Sequence, residues 1–108
     1  MEVINFKGRN KEEVYNAIAA EELAYIGDHQ YQGGWKLKQT KWYNPYHKLL
    51  KQGYTREQVL LMYKEYLLKN EQLLNDLPEL KGKTLGCWCN PEACHGDVLI
   101  ELVEAGRV

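Results

Sequence analysis

The sequence predicts an α/β fold: a small Rossmann-like three-layer domain with a short, mostly parallel sheet and flanking helices. Two observations lead there. Short strand-like runs, Val3-Ile4-Asn5-Phe6, Ala24-Tyr25-Ile26 and Leu85-Gly86-Cys87-Trp88-Cys89, are separated by stretches with apolar residues at helical spacing. Strands alternating with helices favour a parallel sheet with helices packed on its faces. The 108 residues, 44% apolar and 27% charged, suffice for one domain, 1–108, that buries a core without disulfides. An all-helical bundle is the competing class, and the strand-like segments near both ends argue against it.

The elements follow in order. Val3–Phe6 forms a first strand, ended by Gly8. Asn10 with Glu13 three residues on reads as a capping box, and Val14, Ala17, Ile18 and Leu23 supply an apolar stripe for the helix it opens. Ala24-Tyr25-Ile26 is the second strand, closed by Gly27 and Asp28. Residues 29–45 form a long loop with turn signals at Gly33-Gly34 and Asn44-Pro45. Loops of that length in compact domains are more often functional than idle. Tyr46–Lys51 is a short helix stopped by Gly53. Thr55-Arg56-Glu57-Gln58 is a second capping box, opening the strongest helix, with Val59, Met62, Tyr63, Tyr66 and Leu67 on one side. That pattern runs to about Asn75, and Pro78 stops it. Lys83–Cys89 is a buried strand, and a last helix runs from near Cys94 through Val98, Leu99, Leu102 and Val103 to Gly106.

No apolar run reaches the roughly 20 residues that span a bilayer. Met1-Glu2-Val3-Ile4-Asn5 lacks the charged lead and apolar block of a secretion signal. The three cysteines are odd in number and confined to residues 87–94, unlike the scattered even set of a secreted scaffold. A cytoplasmic location is expected, with no membrane partner. The net charge is −1, yet His29 to Arg56 holds no Asp or Glu and carries Lys36, Lys38, Lys41, Lys48, Lys51 and Arg56. The rings of Tyr31, Trp35, Trp42, Tyr43, Tyr46 and Tyr54 are interleaved with these charges. Basic groups among flat rings suit a nucleotide or single-stranded nucleic acid. A solvated lysine-rich loop with its rings tucked into the core is the alternative.

The chemistry concentrates in Cys87-Trp88-Cys89-Asn90-Pro91-Glu92-Ala93-Cys94-His95. A strand leading into a helix places this segment where parallel-sheet proteins bind ligands. Alternation puts Cys87 and Cys89 on one face and Trp88 on the other. Cys94 and His95 fall in the helix's first turn, where free amides favour a thiolate or an anion. Three readings stay open. Cys87, Cys89, Cys94 and His95 form a Cys₃His zinc set in ligand type. Against it, neighbouring helical residues point about 100° apart, and the paired knuckles of common zinc motifs are missing. A functional pocket is the second reading, with Cys94 as thiol or ligand contact, His95 as donor or general acid/base, and Asp97 nearby. Simple core packing of small cysteines is the third, and it suits Cys87 best. Redox use of Cys87 and Cys89 is disfavoured, because a Cys-x-Cys pair on a strand is poorly placed for a disulfide.

The segment Lys81-Gly82-Lys83-Thr84-Leu85-Gly86-Cys87-Trp88-Cys89 through Cys94-His95-Gly96-Asp97-Val98-Leu99 resembles the C-terminal signature of the domain of unknown function 4326 family. Tyr25-Ile26-Gly27 resembles its upstream strand end, and Lys41-Trp42-Tyr43-Asn44-Pro45-Tyr46 its tryptophan-x-asparagine-proline segment. The resemblance covers most of the chain. It implies a small Rossmann-like sheet on which these motifs converge in one pocket, in a family spread over bacteria, archaea and their viruses. Asp28 stands where the family favours arginine, and Tyr43 where it favours a small residue.

The expectation is a pocket for a small anionic, nucleotide- or nucleoside-derived ligand. Gly27, Lys41, Trp42, Asn44 and Pro45 would wall one side, and Cys89, Cys94 and His95 the other. Trp42 would stack, Asn44 would hydrogen-bond and Lys41 would offset phosphate charge. Transfer or hydrolysis at a glycosidic or phosphate bond and pure binding are both open, since no paired carboxylates, phosphate loop or triad is present. The alternative is a zinc-stabilised module that binds nucleic acid or a protein partner without catalysis.

Overall fold

The computed structural model describes residues 1–89 and 94–106. Asn90-Pro91-Glu92-Ala93, within the cysteine segment, lies outside the described residues. Three strands, β1 (Val3–Asn5), β2 (Leu23–Tyr25) and β3 (Thr84–Cys87), form one parallel sheet in the order β1-β3-β2. Val3 stands opposite Leu85 on one side of β3, and Ala24 opposite Leu85 on the other. The last strand in sequence is therefore the middle one.

β3 is shorter than the predicted Lys83–Cys89. Its neighbours end at Asn5, opposite Cys87, and at Tyr25, opposite Gly86, so no strand flanks Trp88 and Cys89. Phe6 N and Ile26 N still donate to Cys87 O and Gly86 O, each at 3.0 Å. The chain then leaves the sheet.

Helix α1 (Lys11–Ala19) starts where predicted: the Asn10 side chain accepts from Glu13 N at 3.0 Å. Glu21, at φ 62°, turns the chain, which moves Leu23 off the expected helical stripe and into β2. His47–Gln52 is a 3₁₀ helix stopped by Gly53 at φ 96°. Helix α2 (Arg56–Leu68) carries the full Thr55/Gln58 capping box. The predicted run to Asn75 is broken in two. Asn70 is extended and its side chain accepts from Leu73 N at 3.0 Å, opening α3 (Glu71–Asp76). Pro78 follows in a 3₁₀ turn, Leu77–Leu80. Helix α4 (His95–Glu104) closes the order.

Alternation along the strands sorts the core into two clusters. Leu85 and Cys87 pack with Ile26, Trp42, Tyr63, Leu67 and the apolar side of α4. Phe6, Leu23 and Tyr25 pack with Val14 of α1 and with Trp35 and Leu37 of the loop. This is a mixed α/β domain with apolar cover on both faces of a small sheet. Gly86 permits the second cluster: a Cβ there would collide with the Phe6 ring. Among the described residues, no helix is long and apolar enough to cross a membrane.

Candidate functional site: a cleft beside a thiol cluster

The strand ends point into a cleft of about 600 Å³. Its floor is made where β2 and β3 give out, from Tyr25, Gly27, Cys87, Trp88 and Cys89, together with His95 at the start of α4. Asp28, His29, Asn44, Pro45, His47, Lys48 and Lys51 form much of the rest of the lining. The carboxyl edge of a parallel sheet is where such a cleft is expected, because helix N-termini and loops converge there.

Hydrogen bonds tie the loop wall to the end of β2, to itself and to α2. Thr40 N donates to Gly27 O at 3.1 Å, and Gln39 N donates to His29 Nδ1 at 3.2 Å. The Tyr63 hydroxyl of α2 donates to Trp42 O at 2.7 Å. Burial raises the Tyr63 phenol well above its ordinary value, so it remains a donor. Asn44 Oδ1 accepts from Tyr46 N at 2.9 Å, turning the chain into the His47–Gln52 helix.

On the floor, Tyr25 and Trp88 are linked. Trp88 Nε1 donates to the Tyr25 hydroxyl at 2.9 Å, which in turn donates to Asp28 O. Burial is the main cause of the raised Tyr25 pKa. Gly27 makes room for this relay, since a Cβ there would fall about 2.5 Å from the Tyr25 hydroxyl oxygen.

Cys94 is not in the first turn of α4, as predicted, but is its N-cap, with extended φ −131° and ψ 154°. The argument from helical angles therefore does not apply to it. Its side chain turns back toward β3, putting Sγ 3.1 Å from Cys87 Sγ. Cys87, Cys89 and Cys94 have sulfurs all within 4.8 Å of one another, and none is in a disulfide. Contact with Cys87, then with Cys89, and burial push the Cys94 thiol far above its ordinary value. Contact with Cys87 likewise raises Cys89.

His95 is 6% exposed, and its Nε2 lies 2.6 Å from Ile26 O. A carbonyl only accepts, so Nε2 carries the hydrogen and Nδ1 presents a lone pair, 3.5 Å from Cys94 Sγ. Burial lowers the His95 pKa and favours this neutral form.

The structure thus brings together Gly27, Asn44, Pro45, Cys89 and His95 in one cleft, joined by Cys87. Four other candidates lie elsewhere. Trp42 is 3% exposed in the core and does not line the cleft. Its ring is taken up by packing, so it is not a stacking platform. Lys41 bonds Asp76 at 2.9 Å and Glu79 at 2.8 Å on another surface, which neutralises the charge expected to meet a phosphate. Asp97 is exposed and caps α4 by accepting from Cys94 N at 3.1 Å. Cys94 opens instead on a small adjoining recess, shared with Cys89 and His95. His95 lies outside the thiol group, so the expected Cys₃His set is assembled only as its three cysteines. Sequence reasoning passed over Tyr25, Trp88, His29 and His47. His29 and His47 sit in the acid-free basic stretch, which was the available signal; Tyr25 stands in the Tyr25-Ile26-Gly27 strand end, where the sequence marks only Gly27 as a site residue.

Residues 8–105 match the family model described as Domain of unknown function (DUF4326). The Uncharacterized protein R718 of Acanthamoeba polyphaga mimivirus is 42% identical over 102 residues, covering 87% of this chain and 73% of that protein. No solved structure matches. With residues 8–105, nearly the whole length, matched, the chain belongs to the DUF4326 family.

Proposed function

We propose that the cleft binds a small anionic ligand built on a flat ring, a nucleotide or nucleoside derivative. The observation that carries this reading is the pairing of rings with cations around one cavity. The half-buried Tyr43 and Trp88 line the cleft together with Lys48 and Lys51. Rings stack on bases, and lysines offset phosphate charge. The volume, about 600 Å³, falls within the roughly 300–1,000 Å³ of small-molecule sites. A Rossmann-like account of the domain is supported by the parallel strands, the covered faces and the position of the cleft at the strand ends. His95, with its lone pair near the floor, is the group suited to accept a proton if the bound ligand reacts.

The test is thermal unfolding of the full chain against a panel of nucleosides, nucleotides and inorganic phosphate. A ligand at about ten times its Kd adds about 1.4 kcal/mol and raises Tm by several degrees. No shift with any nucleotide at millimolar concentration overturns the reading. A shift with long single-stranded oligonucleotides alone would move the site to nucleic acid.

A further inference from the structure

We infer that Cys87, Cys89 and Cys94 bind one zinc ion through three thiolates and leave its fourth position open to the cleft. The three-thiolate site stands apart from the nucleotide reading; the use of the fourth position by a ligand rests on it.

The spacing of the sulfurs is the first support. Tetrahedral zinc with bonds of about 2.3 Å sets its sulfurs about 3.8 Å apart. Here all three sulfurs lie within 4.8 Å, and Cys87 and Cys94, at 3.1 Å, need only rotate apart slightly to reach that spacing. A single disulfide would join only two of the three. Local structure imposes the arrangement: Cys87 ends the central strand, Cys89 follows on the same face, and the extended N-cap turns Cys94 back to meet them.

The surroundings favour sulfur as an acceptor. Cys89 N donates to Cys87 Sγ, and Gly96 N donates to Cys94 Sγ, each at 3.5 Å. Amide hydrogens aimed at sulfur stabilise metal-bound thiolate. A small adjoining recess is lined by Cys89, Cys94 and His95, though not by Cys87. Arg56 also lines it and would offset the single negative charge left by three thiolates and one divalent ion. Soft thiolates select zinc, copper(I) or iron–sulfur clusters, and the clusters normally take four cysteines.

The fourth position follows from His95. Its Nε2 is held on Ile26 O, and its Nδ1, though 3.5 Å from Cys94 Sγ, is not within 4.8 Å of all three sulfurs. Three protein ligands mark a zinc whose remaining site exchanges water or ligand, whereas structural zinc is closed by four. Cys87, Cys89 and His95 all line the cleft, so an exchangeable position there would meet an oxygen of the bound anion.

The test uses the full chain, purified under reducing conditions, with metals measured per chain. One zinc is expected, with loss from Cys94→Ser. Cys89→Ser, altering the half-buried ligand, guards against a folding defect. In the cobalt(II)-substituted protein, the sulfur-to-metal charge-transfer band should fall by about one third in Cys89→Ser, as three thiolates become two. Imidazole or inorganic phosphate should shift the visible cobalt bands. Absence of bound zinc after reconstitution, copper in its place, or a Cys87–Cys94 disulfide in the native protein overturns the inference. Cobalt bands insensitive to both additives overturn the open position. Nucleotide binding without metal sinks this inference alone, and metal without nucleotide binding sinks the earlier reading alone.

Discussion

The two walls of the cleft are built by opposite means. The β3–α4 wall is the more buried: Cys87 and His95 are 1% and 6% exposed, Cys94 of the adjoining recess is 2% exposed, and each is fixed by the central strand or the helix cap. The loop wall, from His29 to Lys51, has exposed side chains at His29, His47, Lys48 and Lys51 and short 3₁₀ turns in place of regular helix. Thiols and the imidazole are buried on one side, and lysine charge is exposed on the other. On the proposed reading, a site divided this way would position chemistry rigidly and adapt to its ligand on the other side.

Substitutions should separate the walls. The largest loss is expected from Gly86→Ala in β3, whose new methyl group would enter the space of the Phe6 ring. That ring is already stacked near Tyr25 and Trp35, so a cost of about 3 kcal/mol is expected in urea unfolding. A change below about 0.5 kcal/mol would mean that the sheet side is soft.

Tyr63→Phe should come next. It removes the donor to Trp42 O and leaves a buried carbonyl unsatisfied, for about 1–2 kcal/mol. Nucleotide affinity should weaken too, because that bond anchors the loop wall to α2. Unchanged affinity would show that the loop is set by its own turns.

Lys48→Ala combined with Lys51→Ala should leave stability within about 0.5 kcal/mol while removing most of the nucleotide-induced rise in Tm. The same rise in the double variant would take charge out of the account. The smallest effect concerns pH, away from the cleft. The Lys41 hydrogen bond lowers the Asp76 pKa, so the folded state binds this proton less readily than the unfolded one. The stabilisation is present above the unfolded aspartate value, about 3.9, and is lost as pH falls through the lower folded value. Lys41→Met should therefore lower stability slightly at pH 7, where the pair is formed, and its difference from the unaltered protein should vanish as pH falls below the folded value.

Features governed by neighbours in sequence were legible. Asn10 and Thr55 cap as expected, because a side chain reaching three residues along needs nothing else. Cys87 and Trp88 face opposite ways because strands alternate. Asn70 carried a local signal too, but the unbroken apolar spacing around it masked the cap. Residues decided by distant partners could not be read. Trp42 in a basic, aromatic loop looks like a ligand platform, yet it is buried in the core cluster that holds Tyr63, Leu67 and Leu85. Cys94 met Cys87 because its backbone is extended just before α4, a conformation that spacing alone does not give.

The central place of β3 bears on how the molecule is made. Val3 must find Leu85 across 82 positions, and β2 likewise waits for residues 84–87. During synthesis the first two strands have no sheet partner until most of the chain has emerged. Slow acquisition of the native state is the consequence, and the nascent N-terminal half, with its apolar strands unpaired, is the stage most open to aggregation.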